Sequence, residues 1–349
     1  MIGISVYAGM ENSIEEILEY MEKAYNLGIT LLFTSAHIPE VKESFTRDFE
    51  TVLSLSTKLG YTTIVDISKG YYDQLELNKY KIDYIRLDYG FTIEEAAYMT
   101  QKYAFGISIN ATTFDRKQIE QFIKHGGKMD KINASHNFYP RKDSGISEEL
   151  FIEKNHIFKE YGIKTIAFIP SNYRRRGPVY EGLPTLEKHR TLNPIISAQH
   201  LLQLGVDSVI VGDSMASREE LEVLSSIRKD ITLIPIELNK NLTDVELDLL
   251  RQVHTNRSDP GEFVIRSQES RLIKKGNIIP NNNGIPRHKY SITIDNEKYN
   301  RYEGELQILQ TDLPADDRVN VVAKAIDAHP LIDSLAPNQK FKFHFLDSK

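Results

Sequence analysis

Residues 2–30, IGISVYAGMENSIEEILEYMEKAYNLGIT, contain one complete unit of strand, loop, helix and glycine. The run IGISVY at 2–7 is apolar and typical of a strand. Ser13 with Glu16 three positions later has the spacing of a capping box, which predicts that a helix begins there. Apolar residues then follow at helical spacing. Gly28 predicts the helix end, because glycine adopts the left-handed C-terminal conformation without steric cost.

The same unit recurs along the first two-thirds of the chain. Further glycine junctions between a helix and a strand lie at Gly60, Gly162 and Gly205. Strand candidates begin near residues 2, 29, 62, 83, 104, 129, 164 and 207. Strands that alternate with helices indicate a parallel sheet, and eight such units predict a (β/α)₈ TIM barrel. A doubly wound open sheet is the alternative, disfavoured because no GxGxxG follows the first strand.

The pattern changes after Pro235. Residues 243–253 predict one helix, and the strand candidates beyond it are EFVIRS (262–267), KYSITID (289–295), ELQILQ (305–310) and KFKFHF (340–345). Period-two alternation with turn signals between the runs predicts a small, mostly antiparallel β-barrel domain. We therefore expect a catalytic barrel at 1–238 and a β domain at 239–349.

Composition excludes several classes of protein. The chain has 349 residues and a net charge of −6, which argues against a nucleic-acid binder. It has no cysteine, which excludes disulfides, thiolate metal sites and a cysteine nucleophile. No signal peptide and no long apolar run is present, so we expect a cytoplasmic protein that does not bind membranes. The sequence leaves the oligomeric state open.

Carboxylates lie where the predicted strands end, which is where TIM barrels place their active sites. Asp66 and Asp88 end neighbouring strands, and paired carboxylates can cleave a glycosidic bond. Arg86 alternates with Asp88, so both point to one face of the strand, and the guanidinium favours Asp88 as base, nucleophile or electrostatic stabiliser. The acid is then Glu187 or Asp66, with Glu181 a weaker candidate. The alternative is that these residues form ion pairs which only order the rim.

Basic residues concentrate after strands 6 and 7. They are Arg141, Lys142, Arg174, Arg175, Arg176 and Arg190. In an acidic protein this local excess predicts an anion site, because guanidinium groups bind oxyanions in bidentate fashion. We take Arg141, Arg174 and Arg190 as binding candidates, although the sequence does not choose among these arginines.

The sequence gives little support for a metal site or a cofactor site. His37, His136, His189 and His200 show no metal-binding spacing. Lys69 is the only lysine near a strand end that could carry pyridoxal phosphate, and we interpret it as a rim residue. We therefore expect neither metal nor cofactor.

Several longer motifs carry a resemblance to a known family. They are GISVY at the start, IRLDYG (85–90), SHNFYPR (135–141), GLPTLEKHR (182–190) and RYEGELQI (301–308). Together they resemble the bacterial 6-phospho-N-acetylmuramidases, the MupG-like glycoside hydrolases. The resemblance implies a TIM barrel followed by a cyclophilin-like β-barrel. It also implies cleavage of N-acetylmuramic acid 6-phosphate–N-acetylglucosamine in the cytoplasm during cell-wall recycling.

The implied disaccharide matches the polar side chains of the strand ends. Its 6-phosphate and lactyl carboxylate match the basic loops and Arg86. Its amide and hydroxyl groups match Asn110, His136 and Asn137, while Tyr7 and Tyr139 offer rings for stacking on sugar faces. Two alternatives stay open: a barrel isomerase or aldolase that acts on a free phosphosugar, and a non-enzymatic sugar-phosphate sensor.

Overall fold

The computed structural model describes residues 1–36, 45–72, 79–281 and 284–346. The chain divides into two compact units, Met1–Ser226 and Ile227–Lys349. Among the residues described, no helix is long and apolar enough to cross a membrane.

The first unit is a closed parallel barrel in which the strands follow chain order. Its strands are β1 (Ile2–Val6), β2 (Leu31–Ser35), β3 (Thr62–Ile67), β4 (Tyr84–Leu87), β5 (Gly106–Asn110), β6 (Ile132–Ser135), β7 (Lys164–Ile169) and β8 (Ser208–Val211). Its helices are α1 (Ile14–Asn26), α2 (Phe45–Leu59), α3 (Lys69–Tyr72), α4 (Ile93–Lys102), α5 (Arg116–Lys124), α6 (Glu148–Glu160), α7 (Pro194–Gln203) and α8 (Arg218–Ser225). All eight strands predicted from the sequence are confirmed.

The residues predicted to begin and end helix α1 have the expected conformations and contacts. Ser13 Oγ accepts a bond from the Glu16 backbone at 3.2 Å, and the Glu16 carboxylate accepts one from the Ser13 backbone at 3.0 Å. Gly28 has a φ of +82°, where a side chain would be strained. Between these signals, Ile17 and Met21 face the barrel and are buried. The capping residues therefore set the ends of α1, and its apolar face sets its orientation.

The second unit is a curled, mostly antiparallel sheet in the order β10-β15-β9-β14-β12-β13-β11. Its strands are β9 (Ile231–Leu238), β10 (Val253–Thr255), β11 (Val264–Arg266), β12 (Ser291–Asp295), β13 (Leu306–Leu309), β14 (Val319–Ala325) and β15 (Lys340–Phe345), with helices α9 (Asp244–Leu250), α10 (Ser270–Ile273) and α11 (His329–Asp333). An isolated bridge between Asn256 and Ser267 joins the two outer ends. The expected β-barrel-like domain is confirmed.

The division between the units lies earlier than the boundary expected at residue 238. Strand β9 pairs with β14 and β15 of the second unit. Ile234 and Ile236 of β9 lie in the core of that unit together with Phe341. Read locally, residues 231–238 resemble one more barrel strand, whereas their partners lie about a hundred residues further along the chain.

Candidate active site

An ion pair joins neighbouring strands at the carboxyl end of the barrel. Asp66 of β3 and Arg86 of β4 are register partners, and Arg86 Nη1 donates to Asp66 Oδ1 across 2.6 Å. Both are buried, with 9% and 5% of their surfaces exposed. Ser35 Oγ donates to the other carboxylate oxygen of Asp66 at 3.3 Å. This is the ion pair that the sequence analysis gave as the alternative to a catalytic pair of Asp66 and Asp88, and the catalytic role of Asp66 stays a prediction.

Arg86 also contacts two residues beyond β3. Its Nη1 lies 3.5 Å from Asp88 Oδ1, and its Nη2 donates to Asn137 Oδ1. Asn137 follows β6, which does not neighbour β4, so this bond crosses the barrel mouth. The Asp88 side chain is 43% exposed. Arg86 thus holds one buried carboxylate and stands beside a second that solvent and substrate can reach.

The environment of Asp66 makes its charged form less favourable than that of an exposed carboxylate. Burial raises the pKa of Asp66 above its ordinary value, and the charge of Asp88 adds to the rise, while Arg86 and Ser35 oppose it. A carboxyl group whose pKa is raised in this way suits the role of a general acid. Asp66 and Asp88 therefore lie in different environments, as an acid and a base require.

The opposite half of the mouth is aromatic. Phe33 of β2 and Phe168 of β7 lie 5.2 Å apart although their strands are not neighbours, so the contact crosses the interior. Phe138 packs edge-on against both. Tyr7 belongs to the same buried cluster, and its hydroxyl donates to the Gly212 carbonyl at 2.6 Å. Burial raises the pKa of Tyr7 to about 12, so the hydroxyl stays neutral.

Arg176 lies over this aromatic half. Its guanidinium carbon is 4.6 Å from the ring centre of Tyr7 and 5.0 Å from that of Phe138. Tyr7 and Phe138 belong to opposite sides of the barrel, so the guanidinium lies at the mouth. The Arg176 backbone donates to Asp213 Oδ1 at 3.0 Å.

Both carboxylate oxygens of Glu187, predicted as a candidate acid, are held by Arg190 and by backbone N–H groups. Its two carboxylate oxygens accept bonds from Arg190 at 2.6 and 2.7 Å and from the Asp143 and Gly145 backbones at 3.0 and 2.7 Å. The Arg190 bonds lower the pKa of Glu187 to about 2, so it holds no proton to donate near neutral pH. Glu187 instead fastens the loop after β6 to the loop after β7.

Arg190 is likewise committed to structure. Besides Glu187, its guanidinium donates to the carbonyls of Gly182, Tyr139 and Arg141, each at 3.0 Å. Only 4% of its surface is exposed. The predicted binding residue Arg190 therefore uses its donors to join two loops.

Two other predicted arginines lie away from the mouth. Arg174 Nη1 donates to Asn12 and Glu16 at 2.8 Å each, which ties the loop after β7 to helix α1. The Arg141 side chain is exposed, and its carbonyl accepts from Arg190. The structure therefore does not bring Arg141 or Arg174 to the carboxylates.

His136, predicted to bind substrate, faces away from the barrel interior. It is completely buried, its Nε2 lies 3.1 Å from Asn155 Oδ1, and its ring contacts Phe151. Both partners are on helix α6. His136 faces this helix because successive strand residues alternate between the inside and the outside of a barrel. Burial lowers the pKa of His136 to about 4, so it is a neutral packing residue.

Asn110 and Tyr139 have less specific positions. Asn110 ends β5, and its side-chain oxygen accepts from the Thr112 backbone at 3.0 Å, which leaves its amide NH₂ for a ligand. Asn110 and Asp88 line one pocket with a volume of about 180 Å³. The Tyr139 backbone is held by Pro184 and Arg190, and its side chain is half-buried.

No metal-ligand cluster of three His, Cys, Asp or Glu residues occurs in the part of the chain that the structure describes. His189 and His200 pair with each other at 2.9 Å, and Lys69 pairs with Glu95 of helix α4. His37 lies outside the described residues.

Both units match one protein family over almost the whole chain. The N-terminal part of the 6-phospho-N-acetylmuramidase family matches residues 2–226, and its C-terminal part matches residues 232–344. The chain belongs to the 6-phospho-N-acetylmuramidase family. The two matches divide where the structure divides, between the barrel and the curled sheet.

Two solved structures resemble this family member along its full length. A conserved Enterococcus faecalis protein of unknown function is 31% identical with a TM-score of 0.79, over 99% of this chain and 97% of that one. An uncharacterized B. cereus protein is 29% identical with a TM-score of 0.88, over 98% and 99%. No curated protein matches the sequence.

Two carboxylates outside the predicted site residues shape the loops of this 6-phospho-N-acetylmuramidase family member. Asp213 Oδ2 accepts from the Ser171 backbone at 2.8 Å, and Glu11 Oε1 accepts from the Gly177 backbone at 2.6 Å. Asp213 was visible at the end of β8, whereas no local signal marks Glu11. The sequence placed Arg176 in the basic cluster without distinguishing it from its neighbours.

Proposed function

We propose that this chain hydrolyses N-acetylmuramic acid 6-phosphate–N-acetylglucosamine to N-acetylmuramic acid 6-phosphate and N-acetylglucosamine in the cytoplasm, as a step of cell-wall recycling. Family membership supports a glycoside hydrolase. The observation that carries the proposal is the pair of carboxylates, Asp66 and Asp88, on either side of Arg86 at the barrel mouth.

The two carboxylates are assigned complementary roles. Asp66, with its raised pKa, donates a proton to the glycosidic oxygen as the bond to C1 of the muramic acid breaks. Asp88, whose side chain is 43% exposed beside Arg86, meets the oxocarbenium-like charge and takes part as base or nucleophile. One water is consumed: its hydroxyl ends on C1, and its remaining proton restores the acid–base pair.

The rest of the mouth suits a sugar. Phe138, which is only partly buried, provides an apolar surface at the mouth, whereas Tyr7 is 2% exposed and lies under Arg176. Asn110 and Asn137 provide amides for hydroxyl and acetamido groups, although the Asn137 oxygen already accepts from Arg86. These side chains support a neutral sugar body between the carboxylates and the aromatic half.

The purified full chain tests this proposal on the disaccharide with and without its 6-phosphate. We expect release of N-acetylglucosamine, detected by mass spectrometry, and no effect of EDTA. The Asp88→Asn variant from the same preparation controls for a contaminating hydrolase. An EDTA-sensitive conversion of a free phosphosugar without glycosidic cleavage would favour the isomerase or aldolase. Binding without turnover of any of these sugars would favour the sensor.

A further inference from the structure

Arg176 is a cation that rests on two rings rather than on a carboxylate. Tyr7 and Phe138 contact its guanidinium. Among the described residues, no carboxylate lies within ion-pair distance of its side chain, and its buried Nε has no hydrogen-bond partner. An unpaired buried donor is unfavourable, and the part of the half-buried guanidinium that is exposed at the barrel mouth is accessible to a ligand.

The other arginines near the mouth are occupied or turned away. Arg86 donates to Asp66 and Asn137, and Arg190 donates to Glu187 and to backbone carbonyls. Arg174 is paired with Glu16, and Arg175 donates from Nε to the Ser171 carbonyl. Arg176 therefore differs from these four because, among the described residues, its side chain has neither a carboxylate nor a backbone carbonyl as partner, although the Nε of Arg86 also lacks a hydrogen-bond partner.

The backbone around Arg176 is held from both sides. Asp213, completely buried, accepts from the backbones of Ser171, Arg176 and Leu183. Glu11 accepts from the next residue, Gly177. The rings of Tyr7 and Phe138 and the bonds to the Arg176 and Gly177 backbones hold the guanidinium in place. This reduces the conformational entropy that Arg176 loses when a ligand binds.

The far side of the mouth does not suit an anion. The pocket beside Asp88 and Asn110 is lined by apolar, hydroxyl and amide side chains and one carboxylate, with no lysine or arginine among its residues. An oxyanion there would be repelled by Asp88, whereas a neutral acetamido or hydroxyl group would not. The guanidinium of Arg176 and the neutral polar side chains of this pocket thus lie at opposite sides of the same mouth.

We propose that Arg176 binds an oxyanion of the substrate, either the 6-phosphate or the lactyl carboxylate, and so fixes which way the disaccharide lies across the carboxylates. This assignment rests on the proposed function. Guanidinium pairs with either oxyanion through two parallel hydrogen bonds, and Arg176 is a binding residue that takes no proton in the reaction.

The test compares Arg176→Gln and Arg176→Lys with wild type on three disaccharides: the full substrate, one without phosphate and one without the lactyl group. Arg218→Gln, at an exposed arginine of helix α8, is the matched control. We expect Arg176→Gln to lower kcat/KM on the full substrate about 10²-fold, chiefly through KM. On the substrate that lacks the contacted anion, the same change has little effect.

The three substrates separate the two anions. Loss of the Arg176→Gln effect without phosphate assigns Arg176 to phosphate, and its loss without the lactyl group assigns it to the carboxylate. Arg176→Lys, which keeps one charge but loses the paired donors, falls between wild type and Gln. An equal effect on all three substrates, or none on any, overturns the assignment.

A binding measurement separates this inference from the proposed function. N-acetylmuramic acid 6-phosphate and inorganic phosphate are titrated against wild type and Arg176→Gln, with the melting temperature as readout. Stabilisation of wild type but not of Arg176→Gln by the sugar phosphate supports the anion site even without turnover. Equal stabilisation of both proteins, or stabilisation of neither, counts against it whatever the enzyme assay shows.

Discussion

Arg86 Nη1 lies 2.6 Å from Asp66 Oδ1, and this bond joins adjacent strands at the same level of the barrel. Both side chains are almost completely buried, yet Arg86 also reaches Asn137 across the mouth. A purely structural pair would need no accessible second carboxylate beside it. The exposed Asp88, 3.5 Å from the same nitrogen, makes this cluster the best-supported location for chemistry in the described barrel.

Replacement of Asp88 should abolish most turnover without unfolding the barrel. We expect Asp88→Asn to lower kcat by at least ~10²-fold, the lower end of what acid–base catalysis supplies. Its side chain is 43% exposed, so the melting temperature should hardly change. Asp130→Asn, at an exposed carboxylate before β6 and so at the other end of the barrel, is the control. Turnover of Asp88→Asn like that of Asp130→Asn would remove Asp88 from the mechanism.

The acid role of Asp66 makes a prediction about leaving groups. Asp66→Asn should lower kcat at least ~10²-fold on the disaccharide, whose leaving oxygen needs a proton. It should lower kcat far less on an aryl glycoside whose leaving group departs unprotonated. Asp88→Asn should stay slow on both. Because the pKa of Asp66 is raised, wild-type kcat on the disaccharide should fall as pH rises through it. Equal losses on both substrates would indicate that Asp66 only positions Arg86.

Glu187 should matter for stability rather than for proton transfer. Glu187→Gln removes the charge partner of buried Arg190, and we expect a loss of about 1–3 kcal/mol, or roughly 3–10 °C in melting temperature. Glu181→Gln, on the same loop with one bond to the Lys142 backbone, should lose less. A large loss of kcat with an unchanged melting curve would return Glu187 to the catalytic candidates.

The same carboxylate predicts a pH dependence in the barrel. The folded-state pKa of Glu187 is lowered from 4.5 to about 2, chiefly by Arg190. Its stabilisation is therefore complete above pH 4.5 and is lost as pH falls from there towards 2. The melting difference between wild type and Glu187→Gln should shrink over this range. A difference that stays constant with pH would contradict the charge argument.

In the second unit, Asp295 should make stability depend on pH in the opposite direction. Burial, with Glu305 nearby, raises its pKa from 3.8 to about 7, while Arg287 and Arg318 oppose the rise. A raised carboxyl pKa means that stability falls as pH rises from about 4 to 7. We expect Asp295→Asn to be as stable as wild type near pH 4. At pH 8 its free energy of unfolding should exceed that of wild type by up to about 4 kcal/mol, which is measured as a higher melting temperature. Asp317→Asn, at a 73% exposed carboxylate, should show no such trend.

Local sequence signals predicted where helices and strands begin and end better than they predicted which strands pair. The capping boxes at Ser13, Thr92 and Ser217 all form, because a capping box depends on residues three positions apart. By contrast, β9 looked like part of the barrel, since its partners β14 and β15 are distant in the chain. The domain boundary follows from those long-range pairings, which no local pattern encodes.

The sequence by itself determined the barrel and placed Asp66, Arg86 and Asp88 at the ends of neighbouring strands, because strand order and strand length follow from local spacing. Only the tertiary structure decided what the loop residues do. Glu187 and Arg190 bind each other, His136 contacts helix α6, and Arg176 lies on the rings of Tyr7 and Phe138 without a carboxylate partner among the described residues. A charged side chain binds a ligand only with donors that the fold leaves free, and that depends on contacts between segments far apart in the chain.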